Sequence, residues 1–205
     1  MFLFGHVGLA WGGVLVVEEA SRRLPGLGRR TRIDFRFVIL GSILPDIIDK
    51  PLGIYILGGG LSNGQIFAHS LLSVLLLLLA ALVARAGLRP ALAFTALGAG
   101  VHLLQDRMWE EPHTLLWPLL GRRFERVDVS GWSSQMLEQL FSDPCTYVSE
   151  AAGAAVVVAL LASLIRARGL RDFILAGRMP SPGRGLAAGQ ECPRELQRGQ
   201  RPAER

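Results

Sequence analysis

Five long apolar runs constrain this chain more than any other feature of its sequence. A bilayer core about 30 Å thick is crossed by about 20 apolar residues of α-helix, and about 17 are enough. Half of the 205 residues are hydrophobic, and we predict an all-α fold, a polytopic membrane bundle of about five helices. The runs are Phe2–Val17, Phe37–Leu57, Ile66–Ala84, Ala91–Leu104 and Ala151–Ile165.

The length and charge of each run decide how it could cross a bilayer. Ile66–Ala84, which contains the single ionisable residue His69, meets the length requirement most clearly. The other runs are shorter or carry charge, so they span only if their polar groups face one another rather than lipid. The alternative is a soluble all-α protein with buried helices. The Leu75–Leu79 block argues against it, because that block is apolar on every face of a helix.

Arginine-rich segments set the predicted orientation. Most of the 22 basic residues fall after the first run, between the third and fourth runs, or after the fifth. Short loops rich in Lys and Arg stay cytoplasmic. We therefore predict a multi-pass protein of the cell membrane with its N-terminus outside and its C-terminus in the cytoplasm. Residues 1–170 form the membrane-embedded domain, and 171–205 form a disordered cytoplasmic tail rich in Arg, Pro and Gly. Membrane lipid is an expected partner, and nucleic acid is not.

Ionisable residues in or beside the apolar runs mark the candidate site. Each is costly inside a membrane unless it is paired, so each is a functional candidate by default. On the predicted topology all of them lie towards the outer face, where they could meet. They are His6, Asp46, Asp49, His69, His102, Asp106 and Glu150.

The spacing and chemistry of these residues favour a metal site. His102 and Asp106 are four residues apart and share one helix face, as do Asp46 and Asp49, which follow Pro45 and are three apart. Imidazoles with carboxylates suit Zn²⁺, Mn²⁺ or Fe²⁺ better than Ca²⁺, and we expect zinc first. Asp49 and Glu150 are expected to orient a water molecule or take its proton. The predicted metal ligands are His6, Asp46, His69, His102 and Asp106.

Several of these residues also have simpler interpretations. Asp46 could only pair with Lys50, four residues further on. His69 could lie at a helix start beside Ser70, and Glu150 could complement the positive end of a helix dipole. His113, in the predicted external loop, is a weaker candidate for the site.

Four short elements follow one another in the first 120 residues. They are Gly5-His6, Leu44-Pro45-Asp46-Ile-Ile-Asp49, Phe67-Ala68-His69-Ser70, and His102-Leu-Leu-Gln-Asp106 followed by Trp117-Pro118. Together they are similar to the LexA-binding, inner-membrane-associated (YdjM-like) family of proposed metal-dependent hydrolases. The resemblance covers about residues 5–120 and implies a metal-dependent hydrolase at the inner membrane. Ala68 stands where these relatives usually carry Thr.

A more distant resemblance is to the zinc-dependent phospholipases C and the related single-strand nucleases, which cleave phosphodiesters with a cluster of zinc ions. It implies a similar helical core and makes Glu150 the late metal ligand. Thr146 stands one turn earlier, where those enzymes carry a further His.

Two functions are compatible with these residues. The first is a membrane hydrolase that acts on a phosphoester or lipid-like substrate, a substrate class that rests on family analogy. The second is a non-enzymatic membrane protein, either a metal or proton pathway or a metal-stabilised module that binds a partner. A pathway should continue with polar groups into the cytoplasmic half, and the runs have none there, which favours the enzyme. A cytosolic protein partner for the Arg-rich segments is compatible with either.

Overall fold

The computed structural model describes residues 2–23, 33–57, 63–121, 124 and 131–180. Within these residues the chain is helical and has no β-strand, so the predicted all-α fold is confirmed. The α-helices are α1 (Leu3–Arg23), α2 (Phe35–Lys50), α3 (Leu71–Val83), α4 (Arg89–Gln105), α5 (Pro112–Leu115), α6 (Trp132–Ser142), α7 (Pro144–Arg166) and α8 (Leu170–Ala176). A π-helical segment, Pro51–Ile56, continues α2, and a 3₁₀ turn, Met108–Glu110, follows α4.

Glycines allow two pairs of helices to pack closely. A Cβ atom on Gly41 of α2 would overlap the backbone of Thr95 in α4, and one on Gly98 of α4 would overlap the backbone of α2. A Cβ atom on Gly8 of α1 would overlap the backbone of Gly153 in α7, and one on Gly153 would overlap the backbone of α1. Small residues at a contact let helix backbones approach this closely in membrane proteins. With α3 packed on α4 and α1 packed on α2, these contacts join the helices of all five apolar runs into one bundle.

A hydrophobic core fills the end of the bundle where α2 begins and α7 ends. Its buried residues include Trp11, Phe35 and Leu164. Phe173 of α8 stacks on Trp11 with ring centroids 5.1 Å apart, so α8 closes this end. The polar residues of the candidate site lie at the other end, where α2 and α4 finish and α1 begins.

The run Ile66–Ala84 does not form one long helix. α3 begins only at Leu71, with Ser70 as its N-cap, and has 13 residues. Asp49 accepts hydrogen bonds from backbone N–H groups in the segment before it, which holds that segment out of the helix. At 1.5 Å per residue α3 is about 20 Å long, shorter than a bilayer core. The expectation that this run is the clearest spanning helix is therefore wrong.

Two helices of the described chain are long and apolar enough to cross a membrane, Leu3–Arg22 and Pro144–Arg166. Large apolar side chains are also exposed on the outside of the bundle, among them Leu79 and Leu82 of α3. Such a surface is suited to contact with lipid. The number of spans and the orientation of the termini stay predictions. α8 covers the first residues of the predicted tail, and residues 181–205 lie outside the described residues.

Candidate metal centre

Four predicted ligands meet at the polar end of the bundle. Asp46 comes from α2 and His102 from α4, where Asp106 is the C-cap residue. His69 comes from the segment that Asp49 holds in front of α3. Each of the four offers one ligand atom, and these atoms all lie within 4.8 Å of one another. The cluster could therefore hold a metal ion.

The distances within the cluster suit a small metal ion. His69 Nε2 lies 3.5 Å from Asp46 Oδ1 and 3.8 Å from Asp106 Oδ2. His102 Nε2 lies 3.5 Å from Asp106 Oδ2 and 3.9 Å from Asp46 Oδ1. The two Nε2 atoms are 3.2 Å apart. A tetrahedral Zn²⁺ with bonds of about 2.0–2.2 Å would separate its ligand atoms by roughly 3.3–3.6 Å, close to this range.

The partners of the Nδ1 atoms determine which ring nitrogen carries the proton. His102 Nδ1 lies 2.7 Å from the carbonyl oxygen of Ser42, which can only accept a hydrogen bond. His69 Nδ1 lies 2.7 Å from Oδ2 of Asp49, a carboxylate that also accepts backbone N–H groups. Both Nδ1 atoms therefore donate, and each neutral ring presents the lone pair of Nε2 to the cluster. Two facing lone pairs at 3.2 Å repel each other unless a metal ion or a proton lies between them.

His6 borders the cluster on the side of His102 and Asp106. Its ring stacks on that of His102, with centroids 3.9 Å apart. Its Nδ1 atom donates to Gln105 Oε1 at 2.9 Å, and its Nε2 atom lies 3.2 Å from Asp106 Oδ1. Asp106 thus faces His6 with one oxygen and the pair of His69 and His102 with the other.

Unpaired buried atoms support a bound cation. Among the described residues, Trp11 Nε1 in the hydrophobic core is buried without a hydrogen-bond partner, and so are two atoms at the cluster, His6 Nε2 and Asp46 Oδ1. Burying such an atom costs roughly 1–3 kcal/mol, and coordination to an ion would remove that cost. Both atoms belong to ligand types that divalent Zn, Mn and Fe accept. The residues present therefore fit a divalent metal ion.

Asp49 and Glu150, the predicted water-activating residues, bind protein groups. Asp49 is fully buried and accepts from three backbone N–H groups as well as from His69 Nδ1. Glu150 accepts from the backbone N–H groups of Phe2, Phe4 and Gly5 at the start of α1. These contacts orient His69 and anchor the helix that carries His6. A role towards water stays a prediction for both residues.

Three further residues, Lys50, His113 and Thr146, make contacts of their own. Lys50 Nζ does pair with Asp46, at 2.6 Å, but it uses Oδ2 and leaves Oδ1 to the histidines. His113 is exposed, and its Nδ1 atom lies 3.3 Å from the carbonyl oxygen of Leu120. Thr146 donates its hydroxyl to Asp143, the N-cap residue of α7.

Sequence reasoning missed three groups that support the ligands. Gln65 donates to Asp106 Oδ2 at 3.1 Å, Gln105 holds His6, and the carbonyl of Ser42 holds His102. Gln105 could have been noticed, because it is a polar residue directly after an apolar run and next to Asp106. Gln65 lies in an uncharged loop, and a backbone carbonyl leaves no mark in the sequence.

The fold and the site define an all-α protein with apolar helices and a buried His/Asp cluster that could hold a metal ion. The family model of the YdjM inner membrane protein matches residues 1–172, and the chain belongs to this family. The predicted family is thereby confirmed, and together with the two apolar helices it supports membrane association. No curated protein and no solved structure matches the chain.

Proposed function

We propose that this protein is a membrane-bound, metal-dependent hydrolase that acts on a phosphoester or lipid-like substrate. The observation that carries the proposal is the approach of His69 Nε2 and His102 Nε2 to 3.2 Å, with acceptors on both Nδ1 atoms. A metal ion bound by both Nε2 atoms would relieve the repulsion between them, as would a proton on one of the rings. The carboxylates of Asp46 and Asp106 beside the pair supply the negative charge that a divalent cation requires.

Asp46, His69, His102 and Asp106 would hold the ion, and His6 would contribute through its contact with the second oxygen of Asp106. Zinc fits the donor set and spacing best, with manganese and iron as alternatives. A divalent ion in such a site acts as a Lewis acid and makes water a better nucleophile near neutral pH.

The surrounding residues perform the positioning. Asp49 and the Ser42 carbonyl keep Nε2 of each histidine directed at the cluster, and such partners raise the basicity of a metal ligand. Lys50 holds the outer carboxylate oxygen of Asp46, and Gln65 holds Oδ2 of Asp106, the oxygen that faces His69 and His102. Because their oxygens already bind N–H groups, Asp49 and Glu150 are better suited to positioning than to accepting a proton from water. The proposed topology is multi-pass, with substrate arriving from the outer leaflet.

The second candidate is non-enzymatic: a metal or proton pathway, or a metal-stabilised module that binds a partner, such as a cytosolic protein. One observation favours a structural ion. The side chains of His6, His69 and His102 are fully buried and come from three separate parts of the chain, so a bound ion would tie these parts together. A structural zinc site is closed by four protein ligands, whereas a catalytic site keeps one position open, so the hydrolase requires that one of the four residues stays off the ion or that the ion takes a fifth ligand.

Metal analysis of the purified protein tests the site. Wild type, His102→Ala and Asp106→Ala would be purified in maltoside detergent with zinc supplied, and their metal content measured. The matched control is His113→Ala, an exposed histidine outside the cluster. We expect bound metal in wild type and the control, and strong loss in the two site variants. Equal, negligible metal in all four preparations would refute the site.

Activity separates the two candidates. Wild type and the His113→Ala control would be assayed on bis(4-nitrophenyl) phosphate before chelation, after chelation and after zinc is restored. The hydrolase proposal expects turnover that is lost and regained with the metal. Full metal occupancy with no turnover of this or a lipid phosphoester would favour the structural ion.

A further inference from the structure

Lys50 lies at the edge of the candidate metal centre and is the one lysine among 22 basic residues. It ends α2, and its Nζ atom donates to Asp46 Oδ2 at 2.6 Å. Its stem passes close to Gly64, where an added Cβ would lie 3.5 Å from Lys50 Cγ. The adjacent Gln65 donates to Asp106. Lys50 is therefore held against the cluster by its ammonium group, and its stem lies beside the segment that carries Gln65.

Exposure increases from the histidines towards Lys50. The side chains of His69 and His102 are 0% exposed, that of Asp106 is 5%, that of Asp46 is 16% and that of Lys50 is 27%. The cluster is therefore most accessible on the side that Asp46 and Lys50 form. A molecule that approaches Asp46 from this side passes the ammonium group of Lys50.

The charges on this side favour an anion. The carboxylates of Asp46 and Asp106 would be balanced by a divalent ion, and Lys50 adds one positive charge beside them. Asp49 lies behind His69, and its charge is stabilised by three backbone N–H groups. An ammonium group has three donors, so the hydrogen bond to Asp46 leaves donors for a phosphate oxygen.

We propose that Lys50 binds an anionic oxygen of the substrate, so that the site takes a phosphate-bearing molecule rather than a neutral ester. This inference rests on the proposed function and narrows its substrate class. The competing role for Lys50 is to neutralise Asp46 and hold it in place as a ligand. That role predicts a change in metal content, whereas anion binding predicts a change in phosphate affinity at constant metal content.

A lysine that occurs once gives a direct spectroscopic readout. Protein labelled with [ε-¹³C]lysine, without lysine in any tag, should show one ε-CH₂ resonance, that of Lys50. We expect a saturable shift of this resonance when the zinc-loaded protein in maltoside detergent is titrated with inorganic phosphate or with dihexanoyl phosphatidate. The ligand with the lower dissociation constant identifies the source, free phosphate or a lipid headgroup. Dihexanoylglycerol, which lacks the phosphate, is the control. No saturable shift with either phosphate ligand would overturn the inference.

Substitution then separates anion binding from support of Asp46. In Lys50→Gln we expect wild-type metal content and a phosphate dissociation constant raised roughly tenfold or more, measured by calorimetry, because a charged hydrogen bond is lost. Lys50→Arg should recover most of the affinity. An unchanged phosphate affinity per bound metal in Lys50→Gln would show support of Asp46 alone and refute anion binding. If Lys50→Gln does not fold, the wild-type titration decides.

Failure of this inference and failure of the hydrolase proposal give different results. Phosphate binding at Lys50 by a protein that cleaves no phosphoester would support the anion site and refute the enzyme. Turnover of a phosphoester with an unchanged KM in Lys50→Gln would support the enzyme and refute the anion site.

Discussion

Single hydrogen bonds determine how each histidine of the cluster presents its ring. Nδ1 of His6, His69 and His102 meets Gln105, Asp49 and the Ser42 carbonyl, respectively. The acceptor atom differs in each case, but the consequence is the same, because a donating Nδ1 leaves Nε2 free to bind a cation. The ligands are therefore oriented before any ion binds.

Asp49→Asn should weaken metal binding without removing a proposed ligand. Both oxygens of Asp49 accept hydrogen bonds from N–H groups. The side-chain amide of Asn would place its own NH₂ group against some of these donors, so His69 loses its fixed orientation. Loss of such a partner usually lowers metal affinity about 10–100-fold. Competition with a chromophoric zinc chelator would measure the zinc affinity of the variant. The control is Asp172→Asn, at an exposed position of α8. Equal zinc affinity in both variants would contradict the positioning role.

Glu150→Gln tests whether this residue anchors α1 or binds metal. Oε1 accepts from Phe2 and Gly5 and Oε2 from Phe4, and an amide nitrogen in place of either oxygen cannot accept, so we expect the free energy of unfolding to fall by roughly 1–3 kcal/mol. Thermal unfolding in detergent measures the change, with the exposed Glu138→Gln as the control. Loss of metal with unchanged stability would instead favour Glu150 as a ligand.

At the scale of the helices, close backbone contacts position the site. Gly41 and Gly98 bring α2 against α4, and these helices carry Asp46 and His102. The segment before α3 depends on a different device, because Asp49 binds its N–H groups and Ser70 then caps the helix. Close packing of α2 against α4 thus positions Asp46 and His102, and hydrogen bonds from Asp49 position the non-helical segment that supplies His69.

Two alanine substitutions on α1 should have opposite effects. Gly8→Ala places a methyl group against the backbone of Gly153 and should destabilise the protein by about 1–3 kcal/mol through overpacking. At Gly13 nothing lies within 4 Å of an added Cβ, so Gly13→Ala should be neutral or stabilise by up to about 1 kcal/mol. The thermal unfolding midpoints of the two variants and the wild type, measured in the same detergent, would show these changes in stability. A destabilised Gly13→Ala with an unaffected Gly8→Ala would contradict this packing.

At the scale of the whole molecule, polar and apolar groups occupy different regions. The cluster and its supporting residues lie at one end of the bundle, while Leu75, Leu79 and Leu82 are exposed on its outside. This arrangement, with the family membership, agrees with a protein that is surrounded by lipid along its sides. The polar end would then face one surface of the membrane, which the arginine distribution predicts to be the outer one.

Single cysteines can test the predicted orientation. In a background with Cys145→Ser and Cys192→Ser, cysteine would be introduced by Gly87→Cys between α3 and α4, or by Ser142→Cys at the end of α6. In right-side-out vesicles an impermeant maleimide should label the Ser142→Cys protein, and the Gly87→Cys protein only after the membrane is disrupted. The reverse pattern would invert the topology.

Local chemistry is what could be predicted from the sequence. The apolar runs predict helices, and an ionisable residue in such a run is conspicuous because its burial is costly wherever the helix lies. His102 and Asp106 share a face because they are four residues apart, which is a property of one helix. The helical class, the family, and the seven candidate residues therefore followed from sequence.

The contacts between distant residues were decided by the tertiary structure. His69 and His102 are 33 positions apart, and their Nε2 atoms meet at 3.2 Å because α2, α4 and the segment before α3 pack as they do. The same packing directs Asp49 and Glu150 to backbone N–H groups and delays the start of α3 to Leu71. No local pattern encodes these distances, because each depends on where a second part of the chain comes to lie.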